Sequence, residues 1–179
     1  MKSDPLIRMA GISDAAEVSR LLKSAMLTYC ADSGISSSML EAMTESIESV
    51  SDRISKQTCL VAESDGKIVG TICIKPVTNP LVYSFSEKTF GFLEQAGTSF
   101  YISRFAVKQR FRKTGLGIEL ITRALDIAHK SGAVCVLLHS SATNKNMVDF
   151  YSKRGFELID SENSRGYMRG LFAKRSYRL

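Results

Sequence analysis

Apolar positions recur along this chain with two periods, near two residues and near 3.6, and the switches between them mark out its elements. A short apolar run from Leu6 to Met9 reads as a strand, and after Gly11 the segment Ser13-Asp14-Ala15-Ala16-Glu17 places a capping residue before a helical pattern through Val18, Leu21, Leu22 and Met26. Met39, Leu40, Met43, Ile47, Val50 and Ile54 continue at helical spacing, with Glu41, Glu45, Glu48 and Asp52 opposite, so one helix is expected over 37–55. Residues 58–63 and 67–75 are rich in Val, Ile, Leu and Cys and flank Asp65-Gly66, the signature of a tight antiparallel hairpin. Residues 77–98 carry Tyr83, Phe85, Phe90, Phe92 and Leu93, too apolar for a plain loop, with Ser86 able to cap a short helix. They read as an insertion that serves as core filling, substrate lid or dimer surface.

The remaining pattern is a strand over 100–107, a helix over 115–130, a buried strand over 133–138, a helix over 144–154 and two last strands at 156–159 and 167–172. This order predicts a single α/β domain over 1–179, with a mixed sheet and helices on both faces; its parallel part is the βαβ unit.

Composition changes this picture little. With 179 residues, 44% hydrophobic and 23% charged, the chain has the balance of one soluble globular domain, and no apolar run approaches the roughly 20 residues that span a bilayer. The first five residues, Met1-Lys2-Ser3-Asp4-Pro5, put an acid and a proline where a secretory leader needs apolar residues. Cys30, Cys59, Cys73 and Cys135 are scattered without a C-x-x-C pair, and His129 and His139 are the only histidines, so neither a metal site nor a disulfide framework is expected. A cytoplasmic location follows as the default expectation.

Charge is more informative. The net +6 is uneven: nine basic residues face twelve acidic ones before residue 100, and fifteen face six from there on. Part of the excess is Lys108, Arg110, Arg112 and Lys113, which crowd a turn reading R-x-x-G-x-G through Gly115 and Gly117, between the strand at 100–107 and the next helix. Glycines let the backbone approach a ligand, and first-turn N–H groups with the helix dipole favour phosphate there. The spacing matches neither a P-loop nor a dinucleotide-binding fingerprint. The rest of the excess is a basic tail, Arg165, Arg169, Lys174, Arg175 and Arg178, interleaved with Tyr167, Phe172 and Tyr177. Nucleic-acid binding is the less favoured reading of that tail, and a final strand with a solvated end is the favoured one.

The strand at 100–107, the glycine turn, the strand at 133–138 and the segment Asn144-Lys145-Asn146-Met147-Val148-Asp149-Phe150-Tyr151-Ser152-Lys153-Arg154-Gly155-Phe156 together resemble the core of the GNAT superfamily of N-acetyltransferases, specifically over 99–159. The resemblance implies a mostly antiparallel sheet of about seven strands, with two parallel strands, 100–107 and 133–139, splaying apart around the pantetheine arm of acetyl-CoA. It further implies that backbone groups of Phe105 and Val107 bind that arm, and that Arg112, Lys113, Thr114, Gly115 and Gly117 hold the pyrophosphate. Asn144 caps its helix and is a further cofactor contact. Tyr151 matches the tyrosine that protonates the leaving thiolate in resembling enzymes, its bland alternative being a packed aromatic beside Phe150.

The implied activity is acetyl transfer to a primary amine, on a small molecule or a peptide, by direct attack in a ternary complex. Cys135, inside an apolar strand, is then a small core residue rather than a nucleophile. Where many relatives carry an acid on the motif strand this chain has Ser103-Arg104, so the base is left among Glu41, Glu45, Glu63 and His139. That gap keeps open a catalytically silent acyl-CoA-binding module. Met147 stands where the second motif usually has a small residue.

Overall fold

The computed structural model describes residues 4–175. Seven strands form one sheet, β1 Leu6–Met9, β2 Thr58–Ser64, β3 Lys67–Pro76, β4 Ser99–Val107, β5 Cys135–Ser141, β6 Glu157–Glu162 and β7 Arg169–Arg175, in the order β1-β2-β3-β4-β5-β7-β6. Every neighbouring pair is antiparallel except β4 and β5. Asp65 and Gly66 both take positive φ, as the expected hairpin between β2 and β3 requires.

Two layers cover the sheet. Helices α5 (Leu116–Lys130) and α6 (Lys145–Ser152) lie on one face, where Leu120, Ile121 and Ala124 join Ile72, Ile102, Val136, Leu138 and Phe172 in the largest core cluster. The opposite face of β2–β4 is covered by α1 (Ala15–Ser33) and α3 (Ile47–Lys56), through Val18, Leu22, Val50 and Ile54 against Cys59, Val61 and Cys73. The β5–β7 part of that face is filled by the insertion: α4 (Glu87–Gln95), capped by Ser86 as expected, packs Leu93 and Phe92 with Tyr83 and Phe85 onto Cys135, Leu137, Leu171 and Ala173. The sheet itself therefore buries these aromatics. Core filling accounts for them without a lid or a partner copy.

The helix expected over 37–55 is broken. After a 3-10 turn at Ser37–Met39, α2 (Glu41–Thr44) ends at Glu45, whose backbone is extended, and α3 restarts with Ser46 Oγ accepting from Ser49 N–H. The physical reason is Glu45. Its carboxylate turns inward to the guanidinium groups of Arg53 and Arg104, and only 6% of its side chain is exposed. A helical backbone would have kept it on the acidic outer face that the spacing suggests. At the first helix the N-cap position falls on Asp14, whose carboxylate does not bond the first turn but accepts from Gly11 N–H and from Arg8. Of the basic tail, Arg169, Lys174 and Arg175 belong to β7, while Tyr177 and Arg178 lie outside the described residues.

Candidate active-site cleft

The cleft begins with a mismatch of one residue. Between the pairs Thr71↔Ala106 and Cys73↔Ser103, β4 uses three steps where β3 uses two, so β4 bulges, and Arg104 takes φ 51°. Such a conformation is strained for a side chain of this size and persists only where neighbours hold it. Glu45 does so, accepting from Arg104 Nε at 3.2 Å and Nη2 at 3.3 Å. β4 pairs with β5 only from Ser99↔Cys135 to Ile102↔Leu138. Beyond that, β4 follows β3 to Val107 while β5 follows β7 to Ser141, and a cleft of about 700 Å³ opens between them. The strands do splay.

One end of the cleft is the glycine turn. Gly115 sits at φ 95°, a left-handed conformation that would strain any residue with a Cβ, and closes the loop into the first turn of α5. Gly117 relieves a different constraint: a Cβ there would stand 3.3 Å from the ring tip of Phe105, close enough that the ring would have to shift by a few tenths of an ångström. In the first turn of α5 the Ile118 N–H already bonds the Gly115 carbonyl, and Gly115, Gly117 and Ile118 line the cleft beside Arg112 and Lys113, where the positive end of the helix dipole lies.

Of the residues singled out from the sequence, Phe105, Val107, Arg112, Lys113, Gly115, Gly117, Asn144 and Tyr151 all line this one cleft. Thr114 does not line it; its hydroxyl donates to the Phe111 carbonyl at 2.8 Å and tightens the loop. The Val107 carbonyl accepts from Arg112 Nε at 3.1 Å, so that oxygen is already engaged within the chain. Asn144 is buried and caps α6 by accepting from Met147 N–H at 3.1 Å, while its amide donates to Ser33 Oγ at 2.8 Å. Capping and an α1 tie thus occupy much of its side chain.

Tyr151 is buried among Phe150, Phe156 and Phe172, and burial pushes its phenol well above the usual tyrosine range, with Tyr29 and Tyr101 adding in the same direction. The Tyr151 ring belongs to the core, and the residue is also among those that line the cleft. Arg154, which the sequence did not single out, stacks its guanidinium 3.7 Å from the Phe150 ring centroid at the same end.

The other end is built from distant segments. His139 on β5 is held on three sides. Its Nε2 donates to the Tyr83 carbonyl at 3.0 Å, and because a carbonyl can only accept, Nδ1 is the bare nitrogen. Nδ1 accepts from the Tyr101 hydroxyl at 3.0 Å and from Arg169 Nη2 at 3.0 Å. Burial first, and then the Arg169 charge, pull the imidazole pKa down to about 3. His139 is accordingly neutral at ordinary pH, with Tyr101 polarised against it. Tyr101, itself raised by burial, was invisible as chemistry in the sequence because it reads as one more apolar position of the β4 pattern. Tyr29 of α1 also reaches this region, accepting from Ser141 N–H.

The other base candidates separate cleanly. Glu63 pairs with Arg8 across β1 and β2 and does not line the cleft. Glu45 is consumed by two guanidinium groups. Glu41 lines the cleft but bonds Arg165 at 2.8 Å, which holds its carboxyl below the usual range. Among the described residues no cluster of His, Cys, Asp and Glu is placed to hold a metal ion, and no helix is long and apolar enough to cross a membrane.

The pattern of the acetyltransferase (GNAT) family matches residues 24–156. The chain is 31% identical over 65 residues to N-alpha-acetyltransferase 50 of Danio rerio, covering 36% of this chain and 39% of that protein. It is 31% identical over 100 residues to N-alpha-acetyltransferase MAK3 of Arabidopsis thaliana, covering 56% of this chain and 45% of that protein. The matches thus span less than half the length of these curated relatives. Among solved structures, a paia N-acetyltransferase from Thermoplasma acidophilum in complex with coenzyme A shares the fold with TM-score 0.76, covering 97% of this chain and 100% of that one at 20% identity. Since the family pattern takes in the bulged strand, the glycine turn and the α6 segment that together line the cleft, the chain belongs to the acetyltransferase (GNAT) family.

Proposed function

We propose that this chain transfers an acetyl group from acetyl-CoA to a primary amine by direct attack within one cleft. The observation that carries the proposal is the continuity of that cleft, which joins a cationic glycine turn at one end to the Tyr101–His139 pair at the other. The names of the two curated relatives support an α-amine at a peptide N-terminus as acceptor, and the coenzyme A complex of the Thermoplasma protein supports the cosubstrate. A reducing, cytoplasmic setting is consistent with four cysteines that all stand as free thiols.

The residues present fit the cosubstrate. Arg112, Lys113 and the N–H groups around Gly115 and Gly117 would neutralise its pyrophosphate, and the β4 edge freed by the bulge would meet its pantetheine arm. Bound there, acetyl-CoA supplies an activated thioester. The chain's own groups then have three tasks. Tyr101 gives its proton to His139 Nδ1 as a hydrogen bond, which leaves the phenol oxygen as an acceptor for an N–H of the incoming amine. Because the imidazole pKa is about 3, this pair orients a neutral amine rather than storing its proton, and the proton lost on attack passes on to water. Tyr151, kept neutral by burial, donates a hydrogen bond toward the departing sulfur; a phenol so raised stabilises a thiolate without surrendering its proton outright.

A thiol-release assay across peptide N-termini, polyamines, amino acids and aminoglycosides, together with calorimetric titration of acetyl-CoA, tests the proposal. Saturable binding with turnover on at least one amine class is expected. Absence of acetyl-CoA binding and of any thermal protection at saturation would overturn it, and binding without turnover on any amine would leave the silent acyl-CoA module as the correct reading.

A further inference from the structure

Outside the cleft, one cluster of reactive side chains has no part in the proposed chemistry. Cys59 on β2 and Cys73 on β3 are direct cross-strand partners in the sheet register. Directly opposed residues of an antiparallel pair have Cα atoms roughly 4.5–5.5 Å apart, inside the span of roughly 4.4–6.8 Å that a disulfide bridges. Successive residues of a strand point to opposite faces, so partners in register point to the same one. Here that face is the one under α1 and α3, where both side chains join the same apolar cluster. Their sulfur atoms stand 2.6 Å apart. The other two cysteines are elsewhere, Cys30 on α1 and Cys135 in the cluster under α4.

We propose that Cys59 and Cys73 are a dithiol modification site, which closes to an intramolecular disulfide by exchange with a small-molecule disulfide. The step balances without any group the chain lacks. The Cys59 thiolate attacks one sulfur of the small disulfide, forming a mixed disulfide and expelling one thiolate; Cys73 then loses its proton and attacks the Cys59 sulfur, expelling the second. The two protein thiols are oxidised and the small disulfide is reduced to two thiols.

The order of attack follows from the surroundings. The two sulfurs share one S–H contact, which lowers the Cys59 thiol and raises the Cys73 thiol, and the Arg53 charge acts on both. These favour the thiolate at Cys59, whereas the neighbouring sulfur first, and then burial, hold Cys73 protonated until it is needed. Both residues are nearly inaccessible, at 2% and 3% exposure, so exchange requires either a local opening of α3 from the sheet or closure during folding.

The test uses the full chain with oxidised and reduced glutathione in two arms, one with the folded protein and one refolded from urea, followed by alkylation and tryptic mass mapping. Cleavage after Lys56, Lys67 and Lys88, with Pro76 blocking the bond after Lys75, puts the two sulfurs on separate peptides, 57–67 and 68–88. Expected is one linked pair, 57–67 with 68–88, lighter by two hydrogens than the sum of the two, with Cys30 and Cys135 alkylated. Dithiothreitol should reverse it, and Cys59→Ser and Cys73→Ser should each abolish it. The oxidised chain should melt at a higher temperature than the reduced chain, with no such shift in either variant. Absence of that linkage in both arms, linkage through Cys30 or Cys135 in comparable yield, or a lower melting temperature on oxidation would each overturn the proposal.

Discussion

The two ends of the cleft are built in opposite ways. The end proposed to bind the cofactor comes from one continuous stretch: β4, the glycine turn and the start of α5 are consecutive in the chain. The other end, proposed to hold the acceptor, is assembled from residues 30 to 124 positions apart, with Glu45 holding the bulge residue Arg104, Glu41 bonding Arg165, and His139 meeting Tyr83, Tyr101 and Arg169. Local sequence dictates the first end, because a left-handed Gly115 and a helix N-terminus need only their own neighbours. The second depends on packing. A helix break at Glu45 and an insertion seated on β5–β7 must both form before the pair at His139 has its partners.

This contrast sets what mutations should do. The largest effect is expected at the local end: Gly117→Glu puts a side chain against Phe105 and a negative charge on the phosphate socket, and should weaken acetyl-CoA binding more than a hundredfold by calorimetry while the fold persists. At the assembled end, Tyr101→Phe removes the hydroxyl facing His139 and should lower kcat by about a hundredfold, roughly 2.7 kcal/mol, with acetyl-CoA affinity unchanged. An equal loss of cofactor affinity would mean the two ends are not separable.

Tyr151→Phe should cost less, about tenfold in kcat, since a phenol this reluctant to ionise offers the sulfur a hydrogen bond rather than a proton. Unchanged turnover would reduce Tyr151 to a packing residue.

The smallest effect concerns acid stability. His139 is held near pKa 3 in the fold against about 6.5 in an unfolded chain. As pH falls below 6.5 the unfolded state takes up the proton first, so stability present above that value is lost progressively toward pH 3, about 1 kcal/mol of it by pH 5.5. Melting curves of the parent should therefore fall more steeply over that window than those of His139→Gln. For the same reason the activity profile should show no imidazole limb near pH 6.5, and the rate should instead rise through the pKa of the acceptor amine. A clear limb near 6.5 would remove His139 from the neutral role.

The legibility of the molecule follows the same division. Strand and helix order was readable because each element carries its own period, and Ser86 and Asn144 cap the helices their positions suggested. The single helix expected over 37–55 failed at Glu45, where a buried ion pair with Arg53 and Arg104 outweighs helical spacing. Thr114 was counted with its loop neighbours, yet its hydroxyl serves the loop rather than the cleft. His139 was one of four open candidates for the base, and nothing along the chain could rank them, since ranking required knowing which carboxylates an arginine had already taken.

By itself, then, the sequence determined the β4–turn–α5 unit, the cationic glycine turn and the α6 segment with its family motif, because each rests on contacts between near neighbours and on backbone conformations that particular residues demand. Only the tertiary structure decided which side chains face one another across the sheet. It turned Tyr101 and His139 into a pair, retired Glu45 and Glu63 into ion pairs, and set Cys59 against Cys73. Strand register does this, by bringing residues far apart in the chain within bonding distance, and no local pattern encodes that distance.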